Sequence, residues 1–136
     1  MLDNSQMELA RFALNNLQSS IYQANVKAGW YKDPRTGRQL NRNVMEMLML
    51  ITTEVAEAAE GWRKKLNDNH LPEYPMIVVE LADTLIRCFD LAGYLTTLMP
   101  EAKTNIGDAF VSKLVYNSLR ADHKLSERAK PGGKSC

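Results

Sequence analysis

The sequence predicts an all-helical protein, an antiparallel bundle of about four helices that assembles as a homo-oligomer, and three observations carry the helical expectation. Apolar residues return at helical spacing in four separate segments, and capping residues, prolines and glycines fall at the ends of those segments. No alternating apolar and polar run is long enough to support a sheet.

Asn4 or Ser5 can cap a first helix reaching about Lys27, in which Met7, Leu9, Phe12, Ala13, Leu17, Ile21 and Ala24 recur near helical spacing. Gly29 ends it. Residues 29–40, with Asp33-Pro34 and Gly37, have turn chemistry and read as an exposed loop opened by Trp30 and Tyr31. A second helix is expected from about Asn43 to Lys65, capped by Asn41 or Asn43. It closes on Arg63, Lys64 and Lys65, cations that suit the negative end of the helix dipole. Pro75 fits the first turn of a third helix extending to about Thr97, and Pro100 stops anything longer. A fourth helix should span roughly Asn105 to Arg120, leaving 121–136 as a flexible or ligand-ordered tail. With 136 residues and 45% hydrophobic content, a single domain with its own core is expected.

Composition narrows the function. The 17 Lys and Arg nearly balance 16 Asp and Glu, so no large excess of positive charge is available for a nucleic-acid polymer. No apolar run approaches the roughly 18 residues of a membrane span, and the opening MLDNSQMELARF lacks the pattern of a secretory signal. A cytoplasmic protein without a membrane partner is expected. Cys88 lies inside a helical pattern and Cys136 in the tail, so neither a zinc spacing nor a disulfide framework is present.

Four acids stand where helices should be apolar. At about 100° per residue, Met47, Leu50, Ile51, Val55 and Ala58 share one arc of the second helix, with Glu54 near its centre and Glu57 at its edge. The third helix is apolar around most of its circumference and should be central and largely buried. Its remaining stripe carries Glu80, Asp83, Arg87 and Asp90. If the two helices are antiparallel neighbours, the acidic pairs meet. Carboxylates crowded in a partly buried cleft repel one another, and a hard divalent cation relieves that repulsion; magnesium suits oxygen ligands, with manganese as a substitute. Glu54, Glu57, Glu80 and Asp83 are thus the candidate metal ligands and catalytic residues. Arg87 is either a counter-ion to Glu80, Asp83 or Asp90, or a phosphate ligand. Asp90 is expected to be structural or outside the metal's immediate ligands.

These residues also resemble a family. TTEVAEAAEGWRKK, followed after a spacer by VVELADTLIRCFDLAG, is similar to the ExxE, spacer, ExxD pattern of the MazG-like all-alpha nucleoside triphosphate pyrophosphohydrolases. Glu54-Val55-Ala56-Glu57 matches the first element and Glu80-Leu81-Ala82-Asp83 the second, with the 22 residues 58–79 between them. Many members carry a further Glu just before the first motif, where this chain has Thr53. The likeness extends to KAGWYKD upstream and KLVYNSLRADHKLSERAKPGGKSC downstream, covering roughly Ala24 to Lys134. The resemblance implies magnesium-dependent hydrolysis of a nucleoside triphosphate, usually a deoxynucleotide, to the monophosphate and pyrophosphate by a homodimer or homotetramer. The alternatives are a catalytically inactive nucleotide-binding module and a helical protein-interaction module.

Pyrophosphate needs cations beyond the metal. Lys113, Arg120, Lys124, Arg128 and Lys134 offer them, with Lys113 and Arg120 foremost as substrate-binding residues. Asn117 either caps a helix end or binds substrate, and His123 contacts phosphate or sits on the surface. Trp30 either stacks on a base or fills a core or dimer interface. Asn25, Asn41 and Asn43 can read a base edge, though capping explains the latter two equally. Met45, Met47 and Met49 read as packing residues. A purine deoxynucleotide such as dGTP is a candidate substrate, but the base stays open.

Overall fold

The computed structural model describes residues 2–131, so the expected substrate contact Lys134 and the tail cysteine Cys136 lie outside the described residues. The structure is all-helical among those residues. The four long helices are α1 (Asn4–Ala28), α2 (Val44–Lys64), α3 (Met76–Leu98) and α4 (Ile106–Leu119). A 3-10 turn at Ala121–His123 and a short helix α5 (Leu125–Arg128) follow, so the first part of the expected tail has helical structure. No strand forms among the described residues; two isolated bridges pair Lys32 with Gln39 and Asn67 with Pro75.

The helix ends follow their local chemistry. Asn43 caps α2 through its side chain, accepting from the backbone N–H of Met45 at 2.9 Å and of Glu46 at 3.4 Å. The other end of α2 closes on Lys65, which takes a left-handed conformation (φ 55°) so that its N–H reaches back to Gly61 and Trp62. Pro75, at the N-cap of α3, supplies no N–H where none is needed.

Among the described residues, backbone contacts divide the chain into two compact units, one comprising residues 2–16 with 105–131 and the other Leu17–Thr104. The helix α1 runs through the boundary. In the smaller unit, Gly107 of α4 lets the chain approach α1 closely: its N–H donates to Asn15 Oδ1 at 2.8 Å, and a Cβ there would meet the Arg11 carbonyl at 2.4 Å. A cavity of about 620 Å³ is lined by Leu2, Met7, Leu114, Asn117, Ser118 and His123.

In the larger unit, α2 and α3 are the dominant helix pair, and their partners show them to be antiparallel. Gly61 lies against Met76, Glu54 meets Arg87, and Met47 joins a cluster with Leu91 and Tyr94. That cluster centres on the fully buried Tyr31, with Tyr22, Val26, Val44, Ile51 and Leu95 packed around it. Gln18 closes the unit's far end, donating through Nε2 to the carbonyls of Ala92 and Thr104, both at 3.2 Å.

The expectation of a largely buried α3 holds for only part of its length. Burial is concentrated from Phe89 to Tyr94, where Gln18 and Tyr22 of α1 close over the helix. Toward the N-terminal end α2 is the main neighbour, and Val78, Leu81, Leu85 and Ile86 each keep between 43% and 57% of their surface exposed. One packed neighbour covers one face; a helix apolar on nearly all sides needs more.

Candidate metal centre

Three of the four acids, Glu54, Glu57 and Glu80, meet across the α2–α3 interface. The buried face of α2 consists of Met47, Glu54, Ala58 and Gly61, so Glu54 occupies a core position by helical register. Glu57, one turn further, points to the exposed edge, and Glu80 on α3 is buried opposite them. One carboxylate oxygen from each of Glu54, Glu57 and Glu80 lies within 4.8 Å of the others. Oxygens bound to a hard divalent cation at roughly 2.0–2.6 Å are separated by up to about 4–5 Å, so this trio can hold a metal ion. Asp83 is half-buried and outside the trio. It lines an adjoining cavity instead.

Crowding shows in the protonation of Glu80. Its pKa is pushed up to about 7, first by burial, then by a hydrogen bond with Glu54, and then by the charges of Glu57, Glu54 and Asp83. Glu54 has a second partner, because Arg87 Nε donates to its Oε1 at 2.5 Å. A shared proton and a guanidinium thus offset the repulsion that a cation would offset more fully. Of the counter-ion roles open to Arg87 in the sequence, none named Glu54. The cross-helix register decides for Glu54, because Arg87 sits opposite it on α3.

Beside the trio lies a cavity of about 440 Å³. Its polar lining is Asn25, Arg42, Asp83, Arg87 and Asp90, and Trp30, Met47, Leu50 and Ile86 supply the apolar wall. Trp30 is 65% exposed, so it is not a core residue of this chain. The loop that it opens sets it there. Gly29 turns the chain with a positive φ of 91°, and Asp33 Oδ1 accepts from the N–H groups of Arg35 and Thr36 at 2.8 Å, folding the loop back so that the Leu40 N–H reaches the Tyr31 carbonyl. Tyr31 then points inward and its hydroxyl donates to Asp90 Oδ1 at 3.0 Å.

The structure therefore brings together Glu54, Glu57 and Glu80, with Asp83 and Trp30 along the adjoining cavity. Lys113, Asn117 and Arg120 belong to the other compact unit. There Lys113 Nζ stands 4.7 Å from the centroid of the Tyr116 ring, and Arg120 is paired with Asp122 through bonds of 2.9 and 2.5 Å. That pair raises the pKa of Arg120 and offsets its charge. Asn117 has its Oδ1 buried without a hydrogen-bond partner among the described residues, beside the cavity it shares with His123.

Sequence reasoning missed Arg42 and the Tyr31–Asp90 bond. Arg42 lies outside every periodic segment, and its signal is spatial: Nη1 donates to the Trp30 carbonyl at 3.3 Å while the guanidinium carbon stands 5.9 Å from the centroid of the Tyr31 ring. Comparison with protein-family models, with curated proteins and with solved structures found no match. No helix among the described residues is long and apolar enough to cross a membrane.

Proposed function

We propose that this chain hydrolyses nucleoside triphosphates, deoxynucleotides foremost, to the monophosphate and pyrophosphate in a magnesium-dependent reaction. The observation that carries this reading is the acidic trio Glu54, Glu57 and Glu80 beside a ligand-sized cavity, joined to it by Arg87. Its volume of about 440 Å³ falls within the roughly 300–1,000 Å³ of small-molecule pockets. The resemblance of the ExxE and ExxD segments to MazG-like pyrophosphohydrolases points the same way.

Glu54, Glu57 and Glu80 would hold the cation, with Asp83 adjacent; manganese is expected to substitute for magnesium. Bound there, the metal would supply Lewis-acid charge to phosphate oxygens and lower the pKa of a coordinated water. The reaction would add water at the α-phosphorus with loss of the bond to the α–β bridging oxygen, so that the monophosphate and pyrophosphate are the products. Glu54 or Glu57 accepts the water's proton. Arg87, which lines the cavity, would donate to phosphate oxygens from that side. Lys113, Asn117, Arg120 and Lys134 remain proposed substrate contacts on the strength of the resemblance.

Incubation with a panel of dNTPs and NTPs plus magnesium, resolving monophosphate with pyrophosphate from diphosphate with phosphate, tests the reading. Formation of monophosphate and pyrophosphate is expected. No turnover across the panel would overturn it in favour of an inactive nucleotide-binding or protein-interaction module.

A homodimer or homotetramer belongs to the same reading. Met45, Leu48 and Met49 on α2, and Val78, Leu81 and Leu85 on α3, recur at helical spacing and stay exposed in the single chain. A second copy would cover them. Light scattering should report an oligomer, and a stable monomer would count against it.

A further inference from the structure

The lining of the cavity beside the trio includes a carboxylate that the proposed hydrolysis does not use. Asp90 is 9% exposed and lines the cavity. Its Oδ1 is held by the hydroxyl of Tyr31, which is itself fully buried. Burial and the neighbouring Asp90 push the Tyr31 phenol far above its ordinary range, so the hydroxyl stays a donor and Asp90 its acceptor. Both arginines of the cavity have other partners, Arg87 in Glu54 and Arg42 in the Trp30 carbonyl. Asp90 therefore offers acceptor capacity in the lining of a cavity that the Asn25 amide and the exposed indole of Trp30 also line.

A carboxylate selects among nucleobases by the donors it can meet. Guanine offers two adjacent donors on its Watson–Crick edge, N1–H and the 2-amino group, which match the two oxygens of one carboxylate. Adenine and cytosine each set a ring-nitrogen lone pair beside their amino group, and thymine and uracil flank one N–H with two carbonyls. Each of these places acceptor against acceptor, which is costly away from water. An aromatic face adds stacking to any base and so contributes affinity without choosing between them.

Spacing along α3 fits a nucleotide laid against it. At about 1.5 Å per residue, Asp90 lies about 10 Å along the helix from Asp83, with Arg87 between them. Phosphates near Asp83 and Arg87 would leave the ribose and base to extend toward Asp90. We propose that this cavity is a guanine-selective base subsite. Asp90 accepts from N1–H and the 2-amino group, Asn25 donates to the 6-carbonyl, and Trp30 stacks on the ring. The proposal rests on reading the acidic trio as the phosphate end of a nucleotide site.

Isothermal titration with dGTP and dITP analogues carrying a non-hydrolysable α–β bridge tests it, because inosine lacks only the 2-amino group. Binding of the guanine analogue should be tighter by roughly 10- to 100-fold, the loss expected for one hydrogen bond to a charged acceptor. Asp90→Asn keeps an acceptor for the Tyr31 hydroxyl and places a donor in the cavity. It should shift preference from guanine to xanthine, whose 2-carbonyl accepts where guanine donates. Equal binding of the dGTP and dITP analogues, or a guanine preference unchanged in a folded Asp90→Asn protein, overturns the proposal. Similar turnover of all four dNTPs would overturn this inference alone, whereas neither binding nor turnover of any nucleotide would overturn the nucleotide reading itself.

Discussion

Arg87 Nε donates to Glu54 Oε1 at 2.5 Å, so the acid at the centre of α2's buried face is held by a cation from α3. The pair links the acidic trio to the cavity, because Arg87 lines one and Glu54 belongs to the other. Removing the guanidinium leaves a buried carboxylate beside Glu80 without its counter-ion. Arg87→Met should lower metal-free stability by roughly 1–2 kcal/mol, less than for a fully buried pair because the arginine side chain is 43% exposed. Magnesium should then raise the melting temperature of the variant more than that of the parent. Thermal melts with chelator and with magnesium check this, and equal gains would show that Arg87 and the cation do not share Glu54.

Glu80→Gln and Asp83→Asn separate a ligand from a neighbour. Glu80 contributes an oxygen to the trio, whereas Asp83 lies outside it, along the cavity. Both substitutions should abolish turnover while leaving the helical circular dichroism largely intact. Manganese affinity, followed by the loss of free-ion paramagnetic signal, should fall by at least roughly 10- to 100-fold for Glu80→Gln and by less for Asp83→Asn. Full activity in both variants would remove them from the site.

The raised pKa of Glu80 makes metal-free stability depend on pH in a definite direction. Between the ordinary value of 4.5 and about 7, the folded protein keeps a proton that the unfolded chain has released. The contribution of Glu80 is therefore fully present below about 4.5, declines as pH rises, and is lost above about 7. Melting temperatures in chelator from pH 4.5 to 8 should show Glu80→Gln gaining on the parent as pH rises across this window. A constant difference would mean that Glu80 titrates at its ordinary value.

Gly93 tests the packing that closes α1 over α3. A Cβ at this position would meet Tyr22 Cβ at 2.3 Å and the Gln18 carbonyl at 3.0 Å, and the backbone oxygen cannot swing aside. Gly93→Ala should cost about 1–3 kcal/mol in denaturant unfolding. Gly61→Ala should also destabilise but by less, because its new methyl meets Met76 Cγ at 2.8 Å and Cβ at 2.9 Å, longer approaches than the 2.3 Å at Gly93 and with no backbone oxygen among them. Similar midpoints for the two variants would show that α1 yields at Gly93 as readily as Met76 does at Gly61.

What the sequence by itself determined is local. Asn43 sits before an apolar periodic run, Pro75 opens the next, and Gly29 closes the first, so helix positions follow from caps and breakers within one or two turns. The same periodicity placed Glu54 among Met47 and Ala58, and that register is enough to mark it as an acid facing inward. Partners across the fold are a different matter. Whether Arg87 meets Glu54 or an acid of its own helix depends on the antiparallel offset between α2 and α3, which no spacing within either helix encodes. The Tyr31–Asp90 bond needs a loop to fold back and a helix to pass beneath it, joining residues 59 positions apart. Exposure of Leu81 and Leu85 likewise follows from how many neighbours α3 has, not from its composition. Periodicity fixes which face of a helix is apolar, and tertiary packing decides what that face meets.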